Sequence, residues 1–128
     1  MVALRGAKIL LVEDESFWAS LYADTFEREG CTVLHAGDGE QGLELAGRHA
    51  PDVILLDILM PKMDGFETLR RLKLDPRVAG TPVIMCTNLA EKESIVRCLK
   101  GGAADYVIKA RAIPSDMVRR VKRILHTA

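Results

Sequence analysis

Five polar residues stand where short apolar runs of the sequence end. They are Glu13, Asp14, Asp57, Thr87 and Lys109. Three carboxylates that converge on one crevice repel one another unless a cation lies between them, and a site built from oxygen ligands is what Mg²⁺ prefers. The lysine adds a fixed positive charge and the threonine a hydroxyl donor, so the set suits a phosphoryl group bridged to a metal. Asp57 then has the character of a covalent nucleophile that forms an aspartyl phosphate.

Each of these residues has a simpler interpretation when it is taken alone. Asp14 can cap a helix that begins near Phe17, and Thr87 can be an ordinary strand-end hydroxyl. Lys109 can be a surface lysine that follows a strand, and Glu13 can be a solvated neighbour of Asp14. The combination favours chemistry, because residues of suitable type follow four different predicted strands.

The elements that would position these residues are five short, apolar and β-branched runs. They lie at 8–12, 31–36, 52–57, 82–87 and 105–109. Their near-continuous hydrophobicity is typical of strands that are buried on both faces of a parallel sheet. Segments with helical spacing separate the runs, which predicts an α/β fold: one doubly wound (βα)5 domain with helices on both faces of a five-stranded parallel sheet. Chemistry in such folds gathers at the carboxyl ends of the strands.

Apolar stripes and capping residues mark the predicted helices. The stripes are Phe17, Trp18, Leu21, Tyr22 and Phe26; Phe66, Leu69 and Leu72; and Met117, Val118, Val121, Ile124 and Leu125. We expect all three stripes, including the lone Trp18, to pack in the core. Asp38, Asp64 and Ser115 are the expected helix N-caps.

Composition limits the class of protein. A chain of 128 residues, 48% hydrophobic and 28% charged, fits one globular domain. Its formal net charge of +0 gives no whole-chain field that would favour nucleic acid or an anionic membrane. The cysteines show no C-x-x-C spacing, and no apolar run approaches the roughly 20 residues of a membrane span. A cytoplasmic protein without a membrane anchor is expected.

The last predicted helix is basic. It carries Arg119, Arg120, Lys122 and Arg123. The helix lacks interleaved aromatics and a recognition-helix pattern, so a solvated face or a docking surface for an acidic partner is favoured over nucleic acid.

Four motifs together resemble the receiver domain of bacterial two-component response regulators. They are VED at 12–14, LLDILMPKMDG at 55–65, MCTN at 85–88 and GAADYVIKA at 102–110. The resemblance covers essentially the whole chain, 1–128, and implies one receiver domain with no output domain. It also implies a flavodoxin-like fold with the strand order 2-1-3-4-5. The function it implies is that of a phosphoacceptor signalling protein, not of an enzyme that acts on a separate substrate.

The resemblance assigns roles to matched residues. Asp57 is the implied phosphoacceptor, which takes a phosphoryl group from a sensor histidine kinase or a histidine phosphotransfer protein. Asp14, Asp57 and the backbone carbonyl of Leu59 are the implied ligands of Mg²⁺, with Mn²⁺ as the alternative ion, and Glu13 is expected to reach the ion through a water molecule. Lys109 is expected to pair with the acceptor carboxylate and then with the phosphoryl oxygens.

The resemblance also implies a switch. Thr87 would hydrogen-bond the phosphoryl group, and Tyr106 would change rotamer in step, although a plain core position is the alternative for Tyr106. The surface reshaped by this change is formed by the fourth helix, the fifth strand and the fifth helix, where an unidentified downstream protein would dock. The protein would be a monomer or a homodimer linked to phosphorylation.

Two residues depart from the family's pattern. Ala110 follows Lys109 where the family usually has a proline joined by a cis bond. A cis bond to a residue other than proline costs about 2.5–4 kcal/mol, so we expect a trans bond and a rearranged loop over 109–114. Asn88 follows Thr87 where a smaller residue is usual, and we expect its side chain to crowd the phosphoryl group or to form a hydrogen bond nearby.

The strand-end residues disfavour other proteins of similar architecture. A Rossmann domain needs a glycine-rich turn where this chain has Glu13 and Asp14, and a flavodoxin-type electron carrier needs a phosphate-cradling first loop, which EDESFW is not. A haloacid-dehalogenase-type phosphatase needs a second acid where this chain has Leu59. The alternative that stays open is a phosphorylation-independent pseudo-receiver that acts as a protein-binding or dimerisation module.

Overall fold

A single sheet of five parallel strands organises the chain. The computed structural model describes residues 4–127, and the strand order is β2-β1-β3-β4-β5. The strands are β1 (Lys8–Val12), β2 (Thr32–Ala36), β3 (Val53–Leu56), β4 (Val83–Thr87) and β5 (Asp105–Ile108). The helices are α1 (Ser16–Arg28), α2 (Gly39–His49), α3 (Gly65–Leu74), α4 (Lys92–Lys100) and α5 (Pro114–Thr127). The predicted fold class and strand order are confirmed.

Helices cover the sheet on both faces. Helices α1 and α5 pack on one face, and α2, α3 and α4 pack on the other. Successive residues of a strand point to opposite faces, so Leu11 of β1 enters the first core and Leu10 enters the second. All four residues of the central strand β3 are fully buried. This two-sided burial explains why the strands are continuously apolar in sequence instead of alternating.

Two of the three predicted N-caps are confirmed. The side chains of Asp38 and Asp64 each accept a hydrogen bond from the backbone N–H three residues later, at 2.8 and 2.9 Å. The prediction for Ser115 is wrong, because α5 begins at Pro114 and Ser115 lies inside its first turn. Proline suits the first helical position, where its fixed φ is already helical and its missing N–H is not needed.

Two residues of the first predicted stripe do not belong to the core: Phe17 is exposed, and Leu21 is half-buried and lies in neither core cluster. Phe17 is 66% exposed, whereas the buried residues of α1 are Ala19, Tyr22 and Phe26. These three follow a spacing of three and four residues along one helix face, and Phe17 lies on a different side of the cylinder. Trp18, one turn before Tyr22, is half-buried and packs against the core.

No helix within residues 4–127 is long and apolar enough to cross a membrane.

Candidate functional site

Strand pairing brings the acidic residues together. Asp57 follows β3 and donates its backbone N–H to the carbonyl of Val12, at 3.1 Å, so it stands beside Glu13 at the end of β1. The two strands are adjacent and pair Val12 with Leu56. One carboxylate oxygen from each of Glu13, Asp14 and Asp57 lies within 4.8 Å of the others. The three acidic residues that the sequence singled out therefore form one cluster.

Lys109 is the positive partner of this cluster. Its Nζ lies 2.5 Å from Glu13 Oε1 and 3.0 Å from Asp57 Oδ2. All three side chains are almost completely buried, with 3% of Lys109, 1% of Glu13 and 3% of Asp57 exposed. One ammonium thus serves two buried carboxylates, and it is not the surface lysine of the simpler interpretation.

Burial and the close contacts between charged groups both shift the pKa values in the cluster. Burial raises the pKa of Glu13 to about 7, although the hydrogen bond from Lys109 acts in the opposite direction. Burial alone would lower the pKa of Lys109, but its hydrogen bond to Glu13 and the charge of Asp57 outweigh that effect and raise it. Asp14 adds a third carboxylate at the exposed rim. A hard divalent cation suits such an all-oxygen, negatively charged site.

Asp14 is not a helix cap. Helix α1 begins at Ser16, and its N-cap residue is Glu15, whose side chain makes no capping hydrogen bond. The backbone N–H of Glu15 instead donates to Glu13 Oε2, at 3.1 Å. The simpler interpretation of Asp14 therefore fails, and its exposed carboxylate lies beside the cluster.

The loop after β3 holds the carboxylate of Asp57 in place. Its Oδ1 accepts hydrogen bonds from the backbone N–H groups of Ile58, at 2.7 Å, and of Leu59, at 3.3 Å. The start of α3 closes this loop, because Gly65 donates its N–H to the carbonyl of Ile58 at 2.8 Å. A Cβ on Gly65 would lie 2.3 Å from the carbonyl oxygen of Asp57, so only glycine permits this approach. The role of the Leu59 carbonyl as a metal ligand stays a prediction.

The two predicted switch residues contact the same residue. Thr87, buried at the end of β4, accepts a long hydrogen bond of 3.4 Å from the backbone N–H of Leu89. The hydroxyl of Tyr106 donates to the backbone carbonyl of Leu89 at 2.5 Å. Burial raises the pKa of Tyr106 to about 12, so the phenol remains a donor at neutral pH. Leu89 therefore links the strand-end hydroxyl to the tyrosine.

The two departures from the family's pattern are hydrogen-bonded to each other. The backbone N–H of Ala110 donates to Asn88 Oδ1 at 2.8 Å. The Lys109–Ala110 bond is trans, as predicted, since no peptide bond within residues 4–127 is cis, and the chain turns there through a short 3₁₀ helix, Lys109–Arg111. Proline has no N–H to donate, so the contact requires a residue other than proline at this position. The sequence shows both residues but not that they meet.

The contact between Trp18 and Lys109 is a second one that the sequence did not reveal. Lys109 Nζ lies 5.1 Å from the centroid of the Trp18 ring. The stripe to which Trp18 belongs indicates core packing, and helical spacing alone gives no sign that the indole also faces the lysine that follows β5.

The basic face of α5 is largely paired within the chain. Arg120 makes two hydrogen bonds to Asp105, at 2.9 and 2.8 Å, and Arg123 lies 3.6 Å from the same carboxylate. Lys122 lies 3.7 Å from Glu29 of α1. These pairs reduce the free positive charge that a nucleic-acid contact would use.

Known proteins resemble this chain along nearly its whole length. A family model described as the response regulator receiver domain matches residues 9–122. The alkaline phosphatase synthesis transcriptional regulatory protein PhoP of Bacillus subtilis is 38% identical over 118 residues, which cover 92% of this chain and 48% of PhoP. The DNA-binding dual master transcriptional regulator RpaA of Synechocystis is 36% identical, again over 92% of this chain and 48% of the relative.

A solved structure also resembles this chain over nearly its whole length. The chemotaxis protein CheY4 of Vibrio cholerae superposes with a TM-score of 0.87 at 28% identity, covering 93% of this chain and 98% of that one. This chain spans about half the length of the two curated relatives, whereas it corresponds to nearly all of the CheY4 chain.

Proposed function

Since this chain belongs to the response regulator receiver domain family, we propose that it accepts a phosphoryl group on Asp57 as a step in two-component signalling. The observation that carries the proposal is the buried contact of Asp57 with Lys109, in a cluster that also contains the buried Glu13 and the exposed Asp14. A carboxylate that only stabilised the fold would not need an excess of negative charge around it.

The acidic cluster fits a divalent cation. Asp14, Asp57 and the backbone carbonyl of Leu59 would hold Mg²⁺ or Mn²⁺, and Glu13 would reach it through a water molecule. A bound ion supplies neutralisation of the charge on the transferring phosphoryl group. The raised pKa of Glu13 supports this fit, because burial, with the nearby charge of Asp57, disfavours an anion that a bound cation would stabilise.

The transfer itself uses few residues of this chain. A carboxylate oxygen of Asp57 forms a bond to phosphorus while the bond from phosphorus to the histidine nitrogen of the donor breaks, and that nitrogen keeps the electron pair. The N–H groups of Ile58 and Leu59 hold the carboxylate in position throughout. Lys109 then moves its hydrogen bond from the carboxylate to a phosphoryl oxygen, so that positioning and charge neutralisation provide the catalysis.

Phosphorylation would be sensed at the end of β4. Thr87 exchanges its long contact with Leu89 for a hydrogen bond to the phosphoryl group, and the loop that carries Leu89 moves with it. Tyr106 loses its acceptor on that loop and changes rotamer. The phosphoryl group biases this equilibrium because it bonds only one of the two conformations well.

The protein would receive and pass on the signal by binding other proteins. The donor is a sensor histidine kinase or a histidine phosphotransfer protein, and the receiving partner docks on the face formed by α4, β5 and α5. The protein acts in the cytoplasm, as a monomer or as a homodimer that phosphorylation stabilises. It catalyses only its own phosphorylation and dephosphorylation.

Intact mass spectrometry after incubation with acetyl phosphate tests the proposal. We expect a gain of one phosphoryl group that requires Mg²⁺ and is lost in Asp57→Asn. Asp52→Asn is the matched control, because Asp52 is an exposed aspartate at the opposite end of β3. A folded protein that binds Mg²⁺ but gains no phosphoryl group would be a pseudo-receiver, and the proposal would be wrong.

A further inference from the structure

We propose that Trp18 is a positioning residue for Lys109, whose ammonium it holds against the face of its indole ring. The inference rests on the proposed function, since it assigns to Trp18 the task of keeping Lys109 in place while Asp57 accepts a phosphoryl group. The geometry that points to it is the placement of Lys109 Nζ 5.1 Å from the ring centroid.

Within the described residues, the cation that the ring faces is otherwise bound only by carboxylates. An ammonium within about 6 Å of an aromatic centroid is attracted by the negative face of the ring. A lysine ammonium has three N–H donors, and within residues 4–127 its hydrogen-bond partners are Glu13 and Asp57. The indole attracts the charge without taking a donor away from either carboxylate. It therefore suits a lysine that must change hydrogen-bond partner during the reaction.

The indole is held by its own helix. Trp18 stacks on Tyr22 with 5.9 Å between ring centroids and 27° between ring planes. Tyr22 is buried in the core between α1 and the sheet, so it gives the indole a fixed support. Helix α1 in turn packs against β2 and α5. The position of the ring relative to Lys109 is therefore set by the packing of α1 and not by a mobile loop.

The indole also keeps water away from the ion pairs. Lys109 is almost completely buried, and the half-buried indole of Trp18 covers the side of its ammonium that faces α1. Excluding water strengthens the attraction of the ammonium for Glu13 and Asp57. When Asp57 is phosphorylated, the indole of Trp18 favours movement of the ammonium to a phosphoryl oxygen over its release into solvent.

Fluorinated tryptophan can test this contact without changing the shape of the ring. Trp18 is the only tryptophan of the chain, so biosynthetic incorporation of mono-, di- or tetrafluorotryptophan alters this residue alone. Each fluorine withdraws electron density from the ring face and weakens its attraction for a cation. The readouts are the rate of Asp57 phosphorylation by acetyl phosphate in saturating Mg²⁺, and the Mg²⁺ dissociation constant of the same proteins.

A stepwise loss of rate is the expected result. We expect the rate to fall with each added fluorine, to about one-fifth in the tetrafluorinated protein, as follows from roughly 1 kcal/mol for a partly desolvated cation–π contact. The Mg²⁺ dissociation constant should stay within about twofold, because Trp18 contacts the lysine and not the carboxylates that would hold the ion. Trp18→Phe, which keeps an aromatic face, should retain more activity than Trp18→Leu, which keeps only apolar bulk.

Two results would overturn the proposal in distinguishable ways. If the unmodified protein is phosphorylated and the fluorinated series shows one constant rate, Trp18 does not position Lys109 and the proposed function stands. A rate in Trp18→Leu equal to that in Trp18→Phe would have the same meaning. If the unmodified protein gains no phosphoryl group in Mg²⁺, the proposed function fails, and this inference fails with it.

Discussion

Replacing Lys109 by methionine is expected to destabilise the metal-free protein strongly. Methionine keeps most of the length and apolar surface of the lysine side chain but removes the ammonium that Glu13 and Asp57 share. Both carboxylates are then left buried without a counter-ion. The perturbation therefore isolates the charge of Lys109 from its packing.

The magnitude follows from the burial of all three groups. Removing one partner of a buried ion pair costs about 3–5 kcal/mol, because the remaining charge stays desolvated and unpaired. Here one substitution affects two carboxylates, so the upper part of that range is expected at pH 8. Such a loss is a large fraction of the roughly 5–15 kcal/mol that stabilises an ordinary domain.

The loss of stability caused by Lys109→Met should be smaller at low pH than at high pH. The pKa of Glu13 in the folded protein is raised from 4.5 to about 7, so folding favours its protonated form. The stability contributed by that proton is present at low pH and is lost as the pH rises through about 7. Without Lys109 the pKa of Glu13 should rise further, since the hydrogen bond that lowers it is gone. Lys109→Met should therefore cost less at pH 6 than at pH 8.

Urea denaturation in EDTA measures this effect. The free energy of unfolding is obtained from the linear dependence on urea concentration, and an unchanged slope shows that the unfolded state is not altered. Lys100→Met is the matched control, because Lys100 is an exposed residue at the end of α4. It should change the free energy of unfolding by no more than about 0.5 kcal/mol.

Adding Mg²⁺ provides a second measurement on the same variant. An ion that binds the carboxylates replaces part of the lost positive charge, so Mg²⁺ should stabilise Lys109→Met more than the unmodified protein. A loss of less than about 1 kcal/mol at pH 8 in EDTA, equal to that of Lys100→Met, would refute the assignment of Lys109 as the buried counter-ion.

Three further predictions follow from two hydrogen bonds and from the burial of two thiols. Asn88→Ala should lower the free energy of unfolding, measured by urea denaturation, by about 0.5–1.5 kcal/mol. In an Ala110→Pro background, where the backbone donor is absent, the same substitution should change it by close to nothing. Equal losses in the two backgrounds would contradict the assigned contact. Burial raises the pKa of Cys86 to about 12 and of Cys98 to about 11, so both thiols should react with Ellman's reagent at pH 8 only after unfolding in guanidinium, and rapid reaction of the native protein would be inconsistent with their burial. Tyr106→Phe removes the hydrogen bond to the loop after β4 and should speed amide hydrogen exchange there; unchanged exchange would show that the bond does not hold the loop.

Much of the fold and the acidic cluster could be predicted from the sequence. Apolar runs followed by polar residues indicate buried parallel strands, and such strands place their carboxyl ends at one edge of the sheet. That rule alone predicts that Glu13, Asp57 and Lys109 lie at one edge of the sheet. Only the structure shows that Lys109 contacts Glu13 directly, across 96 residues of sequence. The caps Asp38 and Asp64 were also predictable, because a cap acts on backbone groups three residues away.

Tertiary structure decided which neighbours the side chains have. Helical spacing predicts that Trp18 faces the core, but only the packing of α1 on the sheet shows that its indole also faces Lys109. Likewise, Asn88 and Ala110 stand out individually, and their hydrogen bond depends on how two strand-end loops approach each other. The physical reason is that local pattern encodes which residues are buried and where strands end. The direction and reach of a side chain across a gap depend on elements that lie far away in sequence.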